Sequence, residues 1–296
     1  MQNRAVLGID IGGSGIKGAL VDLAAGDFAS ERVRIGTPAE STPANVADVV
    51  AEIVEQFADQ MGDGPIGITI PAVVTHGVTR SAANIDKSWI DAPAEQIFEE
   101  RLGRDVVLVN DADAAGVAEV VWGAAKGNDG LVIMTTLGTG IGTAIIHRGV
   151  LLPNTELGHL EIDGHDAESQ AAASVRENLK LSFDEYVPRL QRYYERLEAL
   201  FWPDLIVVGG GISKNADKFL PKLKLKTPIV PAVLRNKAGI VGAMPALNAR
   251  PAAQLEDWLA EITETLAAWD KAHPDQPSAP FAINQIVHKS NDRLEH

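Results

Sequence analysis

Apolar residues follow two rhythms along this chain, and each rhythm predicts a different element. Val6 to Asp10 is a short apolar run entering Ile11-Gly12-Gly13-Ser14-Gly15, and apolar residues resume at Ile16, Ala19, Leu20 and Val21. Two such runs around a glycine-rich turn predict a β-hairpin. Over residues 43–61 apolar side chains fall at Val46, Val49, Val50, Ile53, Val54 and Phe57, which is helical spacing, with Thr42 or Ser41 as cap. Ile66 to Ile70 predicts a strand stopped by Pro71. Ile97 to Leu102 closes a helix, Val106 to Val109 is a strand, and an alanine-rich helix runs from about Ala112 to Ala125.

The second half repeats the logic. Leu131 to Leu137 predicts a strand into Gly138-Thr139-Gly140-Ile141-Gly142, with Thr143 to Ile146 as the return strand. Residues 167–201 are mostly helical, with interruptions near Ser182 and Pro188. Leu205 to Val208 is a strand into Gly209-Gly210-Gly211, Thr227 to Val233 a further strand, and Ala238 to Leu247 a helix limited by Pro245. Two glycine-turn hairpins, each followed by alternating strands and helices, make an α/β protein with an internally duplicated architecture. The expected divisions are 1–110, 111–248 and a less regular extension, 249–296. The extension contains an amphipathic helix, Leu255 to Trp269, and a surface linker, His273 to Pro280.

Composition narrows the function. At roughly 100–200 residues per domain, 296 residues suit two domains or two lobes. Lys and Arg total 26 against 40 Asp and Glu, a net charge of −14, which repels nucleic acid and anionic membrane unless the cations are segregated. Without cysteine there is no disulfide, thiolate metal site or cysteine nucleophile, and a reducing cytoplasm is the expected setting. No apolar run approaches the ~18 residues of a membrane span. The start of the sequence leaves no room for a signal peptide, and Leu294-Glu295-His296 reads as a tag remnant.

The chemistry-bearing residues cluster at the glycine turns and strand ends. Asp10-Ile-Gly-Gly-Ser-Gly-Ile-Lys17 puts a carboxylate beside backbone whose amides can approach phosphate oxygens. Asp10 can hold Mg²⁺ directly or through water, and Lys17 can face phosphate; a plain tight turn is the other reading. Leu137-Gly-Thr-Gly-Ile-Gly142 repeats the pattern, with the Thr139 hydroxyl added. It is neither a P-loop, lacking the Gly-Lys-Ser/Thr, nor the dinucleotide fingerprint, because strand follows the glycines. Asn110-Asp111 ends a strand and opens a helix, where a carboxylate suits a general base and where either residue can simply cap. Glu156-Leu-Gly-His159, followed by Glu168, supplies the carboxylates and imidazole a polyhydroxyl ligand needs, with a metal site as the rival reading. His165 and Asp166 read as a solvated loop. Val207-Val-Gly-Gly-Gly-Ile-Ser213 can pack an adenine or pass a phosphate chain, or be a tight strand–helix turn.

Taken together, Asp10-Ile-Gly-Gly13, Asn110-Asp111-Ala112, Leu137 to Gly142, Glu156 to His159 and Gly209 to Ser213 resemble the ROK family of sugar kinases, within the actin–hexokinase–Hsp70 superfamily, over about residues 5–247. The resemblance implies a two-lobed actin/hexokinase-like (ribonuclease H-like) fold with a duplicated βββαβαβα core, Mg²⁺ as cofactor and a homodimer. Ser81 to Trp89, Gly158 to Glu168 and Pro228 to Arg235 are similar to the bacterial polyphosphate glucokinases in particular. That likeness implies Asp111 as the base for the glucose 6-hydroxyl, with Asn84, Asn110, Glu156, His159 and Glu168 holding the sugar. Asp10, Gly12, Gly13, Ser14, Lys17, Gly138, Thr139, Gly140, Gly209, Gly210 and Gly211 would handle phosphates and Mg²⁺. Many ROK proteins carry a cysteine-rich zinc loop after the Gly-His pair; this chain has no cysteine, so zinc is not expected.

Residues 214–237 hold seven cations and one acid, a balance of +6 inside a chain of −14. Such segregation suits a polyanion track. Lys218, Lys222, Lys224 and Lys226 are its candidates, and the last three alternate with Leu223 and Leu225 so that, as a strand, they would share one face. A solvated edge strand guarded by lysines is the other reading. The leading expectation is phosphoryl transfer from inorganic polyphosphate, with ATP as a further donor, to the 6-hydroxyl of glucose. An ATP-only hexose kinase is second. A sugar-responsive repressor of the same family would need a helix-turn-helix before residue 6, and an actin-like filament protein would not need the Glu156/His159/Glu168 constellation.

Overall fold

The first glycine-turn hairpin forms as expected: β1 (Val6–Gly12) pairs antiparallel with β2 (Gly15–Asp22), Asp10 facing Lys17 and Gly12 facing Gly15 in register. The computed structural model describes residues 5–82 and 85–244. Contacts divide the chain into a unit Met1–Asn248 and a second, Ala249–His296, of which no residue is described. Asn84, the predicted helix Leu255 to Trp269, the linker and the tag remnant all lie outside the described residues.

Two short strands, β3 (Asp27–Phe28) and β4 (Val33–Ile35), pair with β2. After α1 (Pro43–Gln56), β5 (Ile66–Ile70) joins β1 in parallel. Thr42 caps α1 and Pro43 occupies its first turn, where a missing N–H costs nothing. A small hairpin follows, β6 (Val74–Thr75) with β7 (Val78–Thr79). Then α2 (Ala94–Leu102) leads to β8 (Val106–Asn110), parallel to β5, and α3 (Asp111–Val121). Alternation decides which face each strand residue meets. Leu7, Ile9 and Ile11 pack with Val46, Val50 and Ile53 of α1 and with Trp89 and Phe98. Asp10 has the opposite parity and points away from that core.

The second sheet repeats this plan. β9 (Leu131–Leu137), β10 (Ile141–His147) and β11 (Val150–Leu152) form an antiparallel meander. A hairpin β12 (Glu161–Ile162) with β13 (His165–Asp166) and the helices α4 (Glu168–Ala171), α5 (Ala173–Asn178) and α6 (Phe183–Phe201) come next. β14 (Leu205–Gly209) and β15 (Ile229–Pro231) extend the sheet in parallel from β9, and α7 (Ala238–Gly242) closes the described chain. The first half reads βββαβαβα, as the resemblance implied, and the second follows the same order with 3-10 turns (Gly211–Lys218 and Leu220–Lys222) in place of the helix between β14 and β15. The closing helices form a middle layer. Ala115 and Ala118 of α3 pack on Val132, Met134 and Ala144 of the second sheet, while Ile240 and Val241 of α7 pack on Ala19 and Val21 of the first. α6 covers the far face of the second sheet with Tyr186, Leu190, Tyr193, Tyr194 and Leu197.

Three expectations need correction. α6 runs through Pro188 without a break. An interior proline costs about 3 kcal/mol, but the Ser182/Glu185 capping box and five buried side chains, each worth roughly 1.5–3 kcal/mol, outweigh it. The helix after Asn110 ends at Val121, not Ala125, because the buried Glu119 carboxylate takes the Ala124 N–H at 2.7 Å. Lys222, Lys224 and Lys226 are not on a strand: Leu220–Lys222 is a single 3-10 turn, and the segment to Thr227 pairs with no strand.

Candidate active site

The strand–helix junction at β8–α3 separates two duties that the sequence left open between its residues. Asn110 does the capping: its Oδ1 accepts the Ala112 and Asp113 N–H groups at 2.9 and 3.1 Å, and its Nδ2 donates to Ala72 O at 3.1 Å. Asp111, the first residue of α3, accepts from Ala112 N at 2.8 Å and lies near the carboxylates of Asp10 and Glu156. Burial pushes its carboxyl up to about 7, the nearby negative charges of Asp10 and Glu156 add to the rise, and the Ala112 amide opposes it. A carboxylate so poised can accept a proton near neutrality.

Asp10 lies on the same side of the first sheet. Lys17 Nζ sits 2.8 Å from its Oδ2, and the Thr69 hydroxyl donates to its Oδ1 at 3.1 Å. Lys17 therefore answers to Asp10 in this structure. The turn itself is held by two residues that sequence reasoning missed. Arg34 Nη2 donates to Ser14 O at 2.9 Å, and Thr37 Oγ1 donates to Gly12 O at 2.5 Å. Arg34 stands opposite Lys17 in register, so β4 brings a second cation to the turn; the only sequence signal was its polar place between Val33 and Ile35.

The sugar-type constellation converges on Ile141, at the start of β10. Glu168 Oε2 accepts the Ile141 N–H at 3.0 Å, and any side chain at Gly140 would collide with that carboxylate. Gly158 packs on the Ile141 carbonyl so closely that a Cβ would overlap it. The loop is also tied to β10 by Thr143 Oγ1, which donates to Thr155 O at 2.5 Å and accepts from Leu157 N at 3.1 Å. His159 is the hub: Nε2 lies 4.0 Å from Glu156, while Nδ1 lies 2.9 Å from Asp166 and 3.9 Å from Glu168. The Asp166 hydrogen bond raises the imidazole pKa, and burial raises that of Glu156. Asp166 is thus no solvated bystander. It also accepts Glu168 N at 3.1 Å; His165 and Asp166 are both exposed, but they form a strand of the β12–β13 hairpin, not a loop. One donor atom each of His159, Asp166 and Glu168 falls within 4.8 Å of the others, room for a ligand hydroxyl or a cation.

The second glycine turn keeps Gly138 open, with Ser174 Oγ holding Thr139 O at 2.6 Å. Gly210, at φ +79°, lies against the backbone of Leu137, which sets the Gly209-Gly210-Gly211 turn directly beside it.

The ROK family model matches residues 6–173, from the first turn through the Glu156/His159/Glu168 loop. The chain belongs to the ROK family. It is 51% identical over 244 residues to the polyphosphate glucokinase of Mycobacterium tuberculosis strain H37Ra, covering 82% of this chain and 91% of that one. The solved inorganic polyphosphate/ATP-glucomannokinase from Arthrobacter sp. strain KM matches with 54% identity and a TM-score of 0.79, covering 83% of this chain and 98% of its own. The ROK glucokinase of Streptomyces griseus, solved with glucose and AMPPNP, matches at 25% identity and TM-score 0.66, covering 81% and 97%. The fold is the actin/hexokinase-like one of these ROK kinases.

In this ROK chain the basic stretch divides in two. Lys218 lies over the Phe183 ring, Lys222 pairs with Asp184 at 2.5 Å, Lys224 meets Gln191 through its backbone, and Lys226 lies over Trp202, so these four border α6. Lys214, Arg235 and Lys237, with Arg32 and Phe28 across from them, line a cavity of about 920 Å³ at the ends of β14 and β15. Glu119 ties its far wall to α3 by accepting Val233 N and Leu234 N at 3.1 and 2.7 Å. Arg32 and Glu119 were not foreseen from the sequence.

Proposed function

We propose that this ROK protein is a polyphosphate glucokinase, moving a phosphoryl group from inorganic polyphosphate, or from ATP, to the 6-hydroxyl of glucose. The observation that carries the reading is Asp111, relieved of capping by Asn110 and lying near Asp10 and Glu156. Asp111 takes the hydroxyl proton as the oxygen attacks. Glu156, His159 and Glu168 bind sugar hydroxyls, and Asn110 adds the second hydrogen of its amide. Asn84 belongs to the same set by family resemblance. Phosphoryl transfer asks for positioning and charge neutralisation, which the glycine-turn amides, Thr139, Lys17 and Arg34 supply.

Asp10 suits Mg²⁺: it is a hard oxygen donor at a strand end beside the phosphate turn, with Thr69 orienting one oxygen. When bound, the ion neutralises charge on the phosphates. Lys17 must loosen its hold on Asp10 for the carboxylate to serve, directly or through water. The donor choice is supported by the polyphosphate-using relatives above 50% identity and by the cations on this surface. The cavity lined by Ser213, Lys214 and Val233 is large enough for a nucleoside, which keeps ATP as a second donor. A homodimer belongs to the same proposal by resemblance, as does a cytoplasmic setting; no helix among the described residues is long and apolar enough to cross a membrane. A coupled glucose 6-phosphate assay, with long-chain polyphosphate and ATP compared at equal phosphate, tests the reading. Product from polyphosphate is expected, and no product from either donor overturns it.

A further inference from the structure

Asn154, in the loop after β11, adopts φ +59°, a left-handed conformation that asparagine tolerates better than most residues. Its side chain crosses to the first half of the chain. Oδ1 accepts Val74 N–H at 2.9 Å and Nδ2 donates to Val74 O at 2.8 Å, the bond pair a neighbouring strand would make. Its own N–H donates to Asp113 Oδ2 at 2.8 Å. Asp113 sits in the first turn of α3, two residues after Asp111, and is 2% exposed. Its other oxygen, Oδ1, is buried with no hydrogen-bond partner. Glu156 follows Asn154 by two residues, and Ala72, two before Val74, is held by Asn110.

Three segments therefore meet at one point: the first turn of α3, the sugar loop from Asn154 to His159, and residues 72–74 after β5. A buried carboxylate with one idle oxygen is costly, and no helix cap needs it, because Asn110 already serves. We propose that Asp113 and Asn154 are positioning residues for the reaction, fixing the separation between the Asp111 base and the Glu156 sugar contact by clamping the sugar loop to α3 and to Val74. This rests on the glucokinase reading. The clamp acts through hydrogen-bond acceptance, so an amide at 113 can replace the carboxyl. Burial pushes the Asp113 carboxyl up to about 7, so near neutrality a neutral amide is close to its natural state.

Steady-state kinetics on the full chain, with polyphosphate as donor, test the clamp. Asn154→Ala should raise KM for glucose about 10-fold or more, as expected for two lost polar contacts at a binding loop. KM for polyphosphate should stay within about 2-fold, a split that general loss of stability would not give. Asn154→Gly keeps the backbone free to adopt φ +59° while removing the amide, and should match Asn154→Ala. Asp113→Ala should cut kcat/KM for glucose about 30-fold, and Asp113→Asn should recover most of it. If Asp113→Ala fails to fold, the Asn154 pair and Asp113→Asn carry the test. Folded Asn154 variants with wild-type glucose KM, or an Asp113→Asn as impaired as the Asn154 variants, overturn the clamp. A wild type that phosphorylates no glucose overturns the glucokinase reading and the clamp with it, whereas an active wild type with indifferent variants overturns the clamp alone.

Discussion

Asp111 can take a proton only when ionised, and its surroundings make ionisation costly. Burial, Asp10 and Glu156 together push the carboxyl up to about 7. Activity therefore gains the working base as pH rises through that value, and kcat/KM for glucose should climb from pH 5 to pH 8 with a midpoint near 7. A profile that falls over this range would assign Asp111 to an acid's role instead. Asp111→Asn keeps the shape and loses the acceptor. General-base catalysis contributes ~10²–10⁴-fold, so kcat should drop by at least about 100-fold while glucose affinity, measured by titration calorimetry, stays within several-fold. A variant keeping more than about a tenth of kcat removes Asp111 from the base role. Asp113 carries the stability counterpart. Its folded value, about 7, lies above its ordinary 3.8, so the folded protein holds a proton that the unfolded chain releases between those values. The side chain favours the fold below pH 3.8 and loses that contribution as pH rises toward 7. Asp113→Asn should therefore raise Tm relative to wild type increasingly from pH 4 to about pH 7 and level off above it, by scanning calorimetry.

Elements hold these residues in place through close backbone approaches, and Gly158 is where that is tightest. It sits between Glu156 and His159 and packs on the Ile141 carbonyl with no room for a Cβ. Gly158→Ala should push the loop off β10, raising glucose KM about 10-fold or more with a smaller change for polyphosphate; unchanged glucose kinetics would show that the loop adapts. The elements that the sequence made legible are those with a strict period and a glycine or cap at the end. The two hairpins, the Thr42-capped helix and the Asn110 junction are of this kind. Elements set by remote partners were not legible. The Lys-Leu alternation after Pro221 looks like a strand, but Leu223 and Leu225 pack against the α6 core while the Gln191 side chain bonds both N and O of Lys224, at 2.7 and 2.8 Å. A side chain has taken the place of a strand. Asp166 was misread for a similar reason: its partner His159 lies seven residues earlier, and spacing alone does not show which exposed polar residue turns toward it. Arg34, on a strand of three residues too short for a periodic signal, and Thr37, two residues beyond that strand, grip the first turn.

At the scale of the whole molecule, the question is how a protein of net charge −14 engages a long polyanion. The net field repels it, so attraction must come from local cations within about one Debye length, ~8–10 Å near physiological salt. The two halves of the basic stretch supply different reach. Lys214, Arg235 and Lys237 surround the cavity with Arg32, where a short donor can sit. Lys218, Lys222, Lys224 and Lys226 border α6 instead, and their partners there, Asp184 at 2.5 Å and the Trp202 ring at 5.2 Å, are exposed contacts of the kind worth ~0–1 kcal/mol. Such contacts yield readily to a polyphosphate. On the proposed reading a long chain engages both groups, whereas ATP sits in the cavity alone. Replacing the four α6-side lysines by Gln should therefore raise KM for long-chain polyphosphate strongly, change ATP use less and leave glucose KM unmoved. Lys214→Gln with Arg235→Gln should weaken both donors. In the wild type, polyphosphate KM should rise with ionic strength, and that slope should flatten in the quadruple variant. A quadruple variant with wild-type polyphosphate KM and an unchanged salt slope would confine the donor to the cavity, because cations that attract a polyanion cannot be removed without reducing its salt dependence.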